Sequence, residues 1–285
     1  MNKIKLSICM PTYNRSEKVI AQIQQIYKEF VESDYKDQIE ILVSDNNSDK
    51  NHEMKLSESL KDMKDIKLNY NSKNLGLIGN LRKLLELSSG EYIWFVGDDD
   101  ELEEGILEKV YIELKQNDFI FINHDAYIDT LDNVVMKQAI PENINKSNIV
   151  EQIFRYSETS LMFITACVYK KEILQGISRE LCHGRLSDPL FYSILSGKYD
   201  KVGLITDIMI HNRWGDTSWS NQSNIIFLEE IPRGLLNLSK FGINNEELVK
   251  IYFKKRWKQL LKYNIKRGRI KDILAYIGYF STIKI

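Results

Sequence analysis

Cysteine is scarce in this chain of 285 residues. The three present, Cys9, Cys167 and Cys182, are odd in number, far apart and in no metal-ligand spacing. They predict reduced thiols in a cytosolic protein rather than a disulfide framework or a zinc site. No apolar stretch approaches the roughly 20 residues that a membrane-spanning helix needs. The best candidate, Ile273 to Ile283, is too short and contains Gly278, Ser281 and Thr282. The start, Met1-Asn2-Lys3-Ile4-Lys5, is not followed by an apolar leader with a small-residue cleavage site, so no secretory signal is expected. A G-x-x-x-x-G-K-[ST] loop is missing, which argues against a P-loop NTPase. G-x-G-x-x-G is missing too, since Gly76-Leu77-Ile78-Gly79 lacks the first spacing, and so is H-E-x-x-H. No internal repeat or long low-complexity run stands out.

What the chain does have is a core. Hydrophobic residues make up 43% and charged residues 28%, which excludes a disordered chain. The length fits one large domain, or one domain with an appendage. The net charge of -1 hides an asymmetry. From Lys250 to Ile285 there are eleven Lys and Arg against one acid, Asp272. The remainder carries 28 basic and 39 acidic residues. A basic tail is either a solvated helical face or a surface for anionic lipid or acidic partners.

Two periods alternate through the first 125 residues. Ile4, Leu6, Ile8 and Met10 alternate as a strand does. Val19, Ile20, Ile23, Ile26, Tyr27 and Phe30 follow at helical spacing. Ile39 to Val43 reads as a second strand. Leu56, Leu60 and Met63 mark a helix, and Ile66 to Tyr70 a third strand. Ile78, Leu81, Leu84 and Leu85 mark another helix, with Gly90 expected as its left-handed C′ residue. Tyr92 to Val96 is a run of buried-strand type. A helix over about 105–116 leads to the strand Phe119 to Ile122. This order predicts an α/β fold, a mostly parallel sheet with helices on both faces. Beyond Asp125 the expected elements are a helix over Ile149 to Tyr156, an extended Phe163 to Tyr169, and a short helix over Ser187 to Leu195. Strands are expected at Val202 to Ile205 and Ile208 to Ile210. After about Ser220 the chain reads as helical and basic. The expected division is a domain over 1–222, with halves meeting near 125, and a basic helical region over 223–285.

The polar residues sit after the strands: Pro11-Thr12-Tyr13-Asn14-Arg15, Ser44-Asp45-Asn46-Asn47-Ser48-Asp49, Asn71-Ser72-Lys73-Asn74-Leu75-Gly76, and Gly97-Asp98-Asp99-Asp100. In an open parallel sheet such segments gather at the carboxyl edge, where ligands bind. Asn, Asp, Ser and Gly are also ordinary turn residues, so the first three loops read equally well as turns. The fourth does not, because three adjacent carboxylates repel one another and a turn needs no such triplet. A hard divalent cation, Mg²⁺ or Mn²⁺, would relieve the repulsion and bridge to substrate phosphates.

Ser7-Ile8-Cys9-Met10-Pro11-Thr12-Tyr13-Asn14-Arg15 resembles the opening strand of family 2 glycosyltransferases. Ile41-Leu42-Val43-Ser44-Asp45-Asn46-Asn47-Ser48-Asp49 resembles their second strand, Asn74-Leu75-Gly76 their N-x-G turn, and Phe95 to Leu102 their D-x-D-D-x-L segment. The G-D-D-D form is similar to the abequosyltransferase-like branch of enzymes that build bacterial surface polysaccharides. The resemblance implies a GT-A fold, a Rossmann-like nucleotide-binding half joined to an acceptor-binding half. It implies inverting, metal-dependent transfer of a sugar from a nucleoside diphosphate sugar, most commonly of UDP, to a hydroxyl of a saccharide or lipid-linked saccharide. Such an enzyme would work in O-antigen, capsule or lipid-linked oligosaccharide synthesis. By motif position, Pro11, Thr12, Tyr13, Arg15 and Asp45 would contact the nucleoside end of the donor, and Asn74 and Gly76 would shape its site. Asp98, Asp99 and Asp100 would hold Mn²⁺ or Mg²⁺, with Asp99 the direct ligand and Asp98 also serving the donor. Gly97 departs from the family, standing where its first Asp is common.

Inverting transfer needs a general base. The resemblance places an acid roughly 80–100 positions after the metal motif. Asp188, in Leu186-Ser187-Asp188-Pro189, is that candidate, with Glu180 in reserve. Asp before Pro is equally a helix N-cap signal. His211-Asn212-Arg213-Trp214-Gly215 resembles the family's late R-x-H segment in Arg213, with Gly215 standing where its His would be. There Arg213 would pair with phosphate and His211 would be a further metal ligand, though a lone His is more often structural. Trp214 and Trp219 could stack on a sugar or pack in a core. His124 and Asp125 end a strand beside the site, and His183 has no independent support. The aromatic and cationic tail suits an anionic membrane surface, placing the enzyme at the inner face of the cytoplasmic membrane; with no recognised motif, nucleic acid is not expected as a partner. Two other classes stay open. A sugar-phosphate nucleotidyltransferase would need a glycine-rich activating loop, which is missing. A non-catalytic nucleotide-sugar-binding protein would have little use for the acidic triplet.

Overall fold

The computed structural model describes residues 3–128, 130, 132–145, 147–180, 185–198, 201–214 and 222–282, without the side chains of 178–180 and 279–282. Cys182, His183 and Trp219 therefore lie outside the described residues, as does the side chain of Glu180. By internal contacts the chain separates into two units, Met1–Thr217 and Ser218–Ile285.

The first unit is built on one mixed sheet. Its strands are β1 (Leu6–Thr12), β2 (Ile39–Asp45), β3 (Ile66–Tyr70), β4 (Tyr92–Phe95), β5 (Glu101–Leu102), β6 (Phe119–Ile128), β7 (Val134–Met136), β8 (Cys167–Lys170) and β9 (Val202–Trp214). The order across the sheet is β3-β2-β1-β4-β8-β6-β9-β5, with β7 beside β6. β3, β2, β1 and β4 are parallel, whereas β8 enters antiparallel between β4 and β6. Every residue of β1 and β2 is buried. The alternation seen in β1 is thus not a half-wet strand but a central one, covered on both faces.

The covering comes from α1 (Ser16–Glu32), α2 (Lys50–Leu60), α3 (Gly76–Leu87), α4 (Ile106–Glu113), α5 (Ile149–Ser157), α6 (Lys171–Glu180) and α7 (Asp188–Ser196). Val19, Ile23, Ile26 and Phe30 form the buried stripe of α1, as Ile78, Leu81, Leu84 and Leu85 do for α3. α1 packs on α2 and α4, and α3 on α6. Right-handed crossovers account for this: β1 to β2 to β3 steps one way, and β3 to β4 steps back across the sheet, placing α3 on the opposite face.

Several local expectations are corrected. Gly90 is not a left-handed C′ residue, because α3 ends earlier, with Ser88 as its C-cap. Gly90 is required for close approach instead; a Cβ there would stand 2.6 Å from the Ser7 amide nitrogen. The two short strands expected over 202–210 are one strand, β9, whose register against β6 shifts between Ile122 and His124. The bulge absorbs the break that the sequence suggests. Of the extended segment expected from Phe163, only β8 is strand; Ile164–Ala166 is a 3-10 turn.

The second unit is helical: α8 (Ser223–Ile225), a π turn over Ile226–Glu230, α9 (Ile231–Asn237), α10 (Glu246–Lys266) and α11 (Ile270–Thr282). Glu229 is its polar anchor, accepting from Tyr263 Oη at 2.5 Å and Arg267 Nη1 at 3.1 Å and pairing with Arg269. No described helix is long and apolar enough to cross a membrane.

Candidate active site

Register brings the polar loops together. Thr12 stands opposite Asp45, and Asp45 opposite Tyr70. The amides of Asn46, Asn71 and Val96 continue the ladders, bonding to the carbonyls of Thr12, Asp45 and Cys9. Loops one to four therefore leave the sheet on one edge, and α1 and α3 begin there.

The first two loops are tied to each other. Asn14, at φ 53, donates its amide to Ser48 Oγ at 2.7 Å and accepts the Asp49 amide at 2.8 Å. Asn tolerates this left-handed backbone better than other side chains. Asp45 is buried and binds Ser48 twice, accepting the amide at 2.8 Å and the hydroxyl. Pro11 is buried in β1, and Tyr13 projects from the loop, 45% exposed.

The third loop is held by an amide ladder. Asn46 Nδ2 donates to Asn74 Oδ1 at 3.0 Å and to the Gly76 carbonyl at 3.2 Å, while Asn46 Oδ1 accepts from the Leu75 amide and Asn71 Nδ2. Asn71 also donates to Asn80 Oδ1, and Asn80 to the Ser44 carbonyl. Gly76, at φ +69, gives α3 its first residue. Asn74 and Gly76 are thus both held through Asn46, which sequence reasoning passed over as a turn residue.

The acidic turn does not act as a triplet. Asp98 accepts from Thr12 Oγ1 at 3.0 Å and from Arg15 Nη1 at 3.1 Å. Asp99 accepts from the same Arg15 nitrogen at 2.9 Å and pairs with Lys18 at 3.3 Å; its side chain is 37% exposed. Two carboxylates thus converge on a single cationic nitrogen. Asp100 turns the other way, into the protein, and accepts from Thr165 Oγ1 at 2.5 Å. Its burial, reinforced by Asp99 and Asp98, pushes its carboxyl up to about 7 against the opposing hydrogen bond from Thr165. Burial and Asp99 also raise Asp98, in spite of Arg15. The departure at Gly97 follows from Asp100: a Cβ on residue 97 would sit 2.3 Å from Asp100 Oδ2. Any other residue there collides with that carboxylate.

Asp100 and His211 therefore do not join Asp98 and Asp99 in one cluster, and among the described residues no three His, Cys, Asp or Glu side chains are grouped to hold a metal. His211 Nδ1 lies 2.9 Å from Asp125 Oδ1, and Nε2 lies 2.8 Å from Glu103 Oε1. Partial desolvation works against the charged ring, but the two carboxylates outweigh it and raise His211 above its ordinary value. Both ring nitrogens thus face carboxylates, and the pair of contacts ties β6, β9 and the turn after β5 together. The pair Asp98 and Asp99 does fit a divalent cation, because Arg15 Nη1 already places a positive charge between them. Mg²⁺-type sites commonly use one or two carboxylates and take their remaining ligands from phosphate and water.

Asp188 lies apart in the chain, buried at the start of α7. It is the first residue of the helix rather than its N-cap, which is Ser187. Its Oδ2 accepts from the Arg185 amide at 3.1 Å and stands 3.7 Å from Arg82 Nη2 of α3. Arg213 is exposed on β9 opposite Tyr127. Among the described residues neither Asp188 nor Arg213 bonds to the acidic turn. His124 is buried, its Nδ1 bonded to the Asp125 carbonyl at 3.0 Å, and burial brings it down to about 4. Cys9 and Cys167 are free and buried, and burial raises both thiols, Cys167 to about 11, so neither is a nucleophile.

A nucleotide-type half-sheet with two convergent carboxylates at its carboxyl edge is the architecture of GT-A proteins. The glycosyl transferase family 2 profile matches residues 7–177, and the chain belongs to that family. It is 33% identical over 178 residues to the GalNAc(5)-diNAcBac-PP-undecaprenol β-1,3-glucosyltransferase of Campylobacter jejuni, covering 60% of this chain and 53% of that protein. It is 28% identical over 173 residues to the poly(ribitol-phosphate) β-N-acetylglucosaminyltransferase TarP of Staphylococcus aureus, covering 59% and 51%. The chain spans about half the length of these two relatives. In fold it is similar to S. aureus TarS 1-349 in complex with UDP-GlcNAc, with a TM-score of 0.67 at 14% identity over 97% of this chain and 79% of that one. A mannosyltransferase from Pyrobaculum calidifontis in complex with GDP-Man and Mn²⁺ shares the fold at a TM-score of 0.55 and 12% identity, covering 100% and 82%.

Proposed function

We propose that this protein is an inverting glycosyltransferase that moves a sugar from a nucleoside diphosphate sugar to a hydroxyl of a saccharide or lipid-linked saccharide, in the synthesis of a bacterial surface polysaccharide. The observation that carries this reading is the convergence of Asp98 and Asp99 on one cationic point beside Thr12, at the edge where three further loops emerge. UDP is the favoured nucleotide, on the strength of the fold shared with a UDP-GlcNAc complex. The lipid-linked acceptor is favoured by the undecaprenol-linked substrate in the name of the Campylobacter relative. The abequosyltransferase-like branch rests on Gly97 to Asp100 alone.

In this reading Asp98 and Asp99 would hold Mn²⁺ or Mg²⁺, which when bound would neutralise charge on the departing diphosphate. Pro11, Thr12, Tyr13 and Asp45 line the nucleoside pocket, and the ladder through Asn46 fixes Asn74 and Gly76 against it. Arg15 and Lys18 give positive charge at the same edge, and Arg213 can pair with phosphate bidentately. Asp188 takes the proton from the acceptor hydroxyl; the oxygen attacks the anomeric carbon from the face opposite the diphosphate, and the sugar–phosphate bond breaks with its electron pair leaving on the phosphate. Arg82 positions the Asp188 carboxylate.

A thermal-shift screen of UDP, GDP, CDP and dTDP sugars with Mn²⁺ or Mg²⁺ should raise the melting temperature with one nucleotide class. With that donor, Asp99→Ala should lower transfer about 100- to 1000-fold while the fold persists, on the scale of losing a main electrostatic contact to the leaving group. Full transfer by the variant would refute the assignment.

A further inference from the structure

The four lysines Lys254, Lys258, Lys262 and Lys266 recur at every fourth position along α10. Residues four apart lie one above another on a helix, so they form a continuous cationic column. All four are exposed, and no described acidic side chain lies within ion-pair distance of any of them. The column runs opposite the buried stripe Val249, Phe253, Leu260 and Asn264. Directly beside it runs a second column at the same spacing: Trp257, Leu261 and Ile265. Trp257 is 45% and Ile265 65% exposed, and the Trp257 ring carries the Lys258 ammonium 5.5 Å from its centroid. α11 repeats the apolar part. Ile270, Leu274 and Ile277 share its outer face at one-turn spacing and are 51–66% exposed, while Tyr276 on the other side is buried. The first apolar column ends, and the second begins, at the turn Arg267-Gly268-Arg269.

Water is a poor solvent for such a surface. Five exposed aliphatic and aromatic side chains within some twenty residues exceed the single scattered exposures of an ordinary surface. A solvated cationic face explains the lysines but not these. An apolar face beside a lysine column, with Trp at their junction, is the pattern of a helix lying in the interface of an anionic bilayer: aliphatic side chains enter the acyl boundary, Trp sits at headgroup depth, and lysine stems reach back to the phosphates. We infer that α10 and α11 dock this protein on an anionic lipid surface through Trp257, Ile265, Ile270 and Leu274, with Lys254, Lys258, Lys262 and Lys266 reading the charge. The inference rests on the second unit alone and is independent of the transferase reading.

The test is co-sedimentation of the full chain with vesicles of phosphatidylcholine, with and without 30 mol% phosphatidylglycerol. The expected result is binding to the anionic vesicles only, weakened by 0.5 M NaCl, with a blue-shifted tryptophan emission that Trp257→Phe removes. Reversing the column (K254E, K258E, K262E and K266E together) should weaken partition at least about tenfold, since each lysine near such a surface contributes on the order of 1 kcal/mol. Ile265→Ser with Leu274→Ser should weaken it as well, whereas Lys64→Glu, an exposed lysine of the first unit, should not. Unchanged far-UV circular dichroism shows that the exposed substitutions leave the helices intact. Binding that ignores lipid charge, or that survives the reversed column, would overturn the inference. So would a protein that ignores vesicles yet forms a dimer abolished by the Ile265 and Leu274 changes, since the face would then belong to a second copy.

Discussion

Gly97 shows how one residue can be dictated by a neighbour that the sequence does not mark. Its missing Cβ leaves the space that Asp100 Oδ2 fills, and Asp100 in turn is held by Thr165, 65 positions away. Gly97→Ala should force Asp100 out of that space and cost about 1–3 kcal/mol, as overpacking of a tight interior does; thermal unfolding measures it. The sequence shows three acids in a row and suggests one cluster, with Asp99 as direct ligand and Asp98 and Asp100 in support. The structure divides them, because burial makes a charged Asp100 costly, while Asp98 and Asp99 face Arg15 and Lys18. Nothing in the spacing could have revealed Thr165. The contacts of His211 were hidden for a similar reason: its partners, Asp125 and Glu103, lie 86 and 108 positions away, and their proximity follows only from the pairing of β6, β9 and β5.

The carboxyl-edge loops act as one unit because amide side chains bind them. Asn46 stands at the centre, serving Asn71, Asn74, Leu75 and Gly76. Asn46→Ala removes its whole share of the ladder, leaves buried amides unpaired, and should cost about 2–3 kcal/mol. Donor binding should weaken together with stability, which titration calorimetry beside thermal unfolding would show. Lys73→Ala, an exposed change in the same loop, should leave stability unaltered. The strands and helices up to β4 were legible because each carries a clean period of two or of about 3.6, and polar residues after each strand marked the edge. The region beyond Asp125 was less legible. There a bulge joins β9 into one strand, and β8 enters the sheet against the direction of its neighbours; neither leaves a periodic trace. Asp188 is a candidate from sequence by its distance from the acidic turn, but its contact with Arg82 of α3 is tertiary.

At the scale of the whole molecule, two histidines set opposite pH limbs on stability. His124 is buried and neutral, with its value lowered from 6.5 to about 4. The unfolded chain takes up that proton first, so the stability tied to neutral His124 is present above pH 6.5 and is lost as pH falls toward 4. Over the full window the loss is about 3 kcal/mol, at about 1.4 kcal/mol per pH unit. His211 is raised by its two carboxylates, so its contribution is complete below pH 6.5 and fades as pH rises through its folded value. Urea midpoints across pH 4 to 8 should show the acid limb flattened in His124→Gln and the alkaline limb flattened in His211→Asn.

The two units also divide the charge between them, with the basic helices in the second and the acidic turn in the first. The central claim concerns the first: Asp98 and Asp99 form a cation-dependent grip on a nucleoside diphosphate sugar. Titration calorimetry of the intact chain with UDP-GlcNAc or the nucleotide sugar selected by the thermal screen, with and without Mn²⁺, tests it most directly. Binding that requires Mn²⁺ and falls at least about 100-fold in Asp99→Asn is the predicted result, the loss of one charged ligand being worth several kcal/mol. Binding of equal strength without metal and in the variant would contradict it.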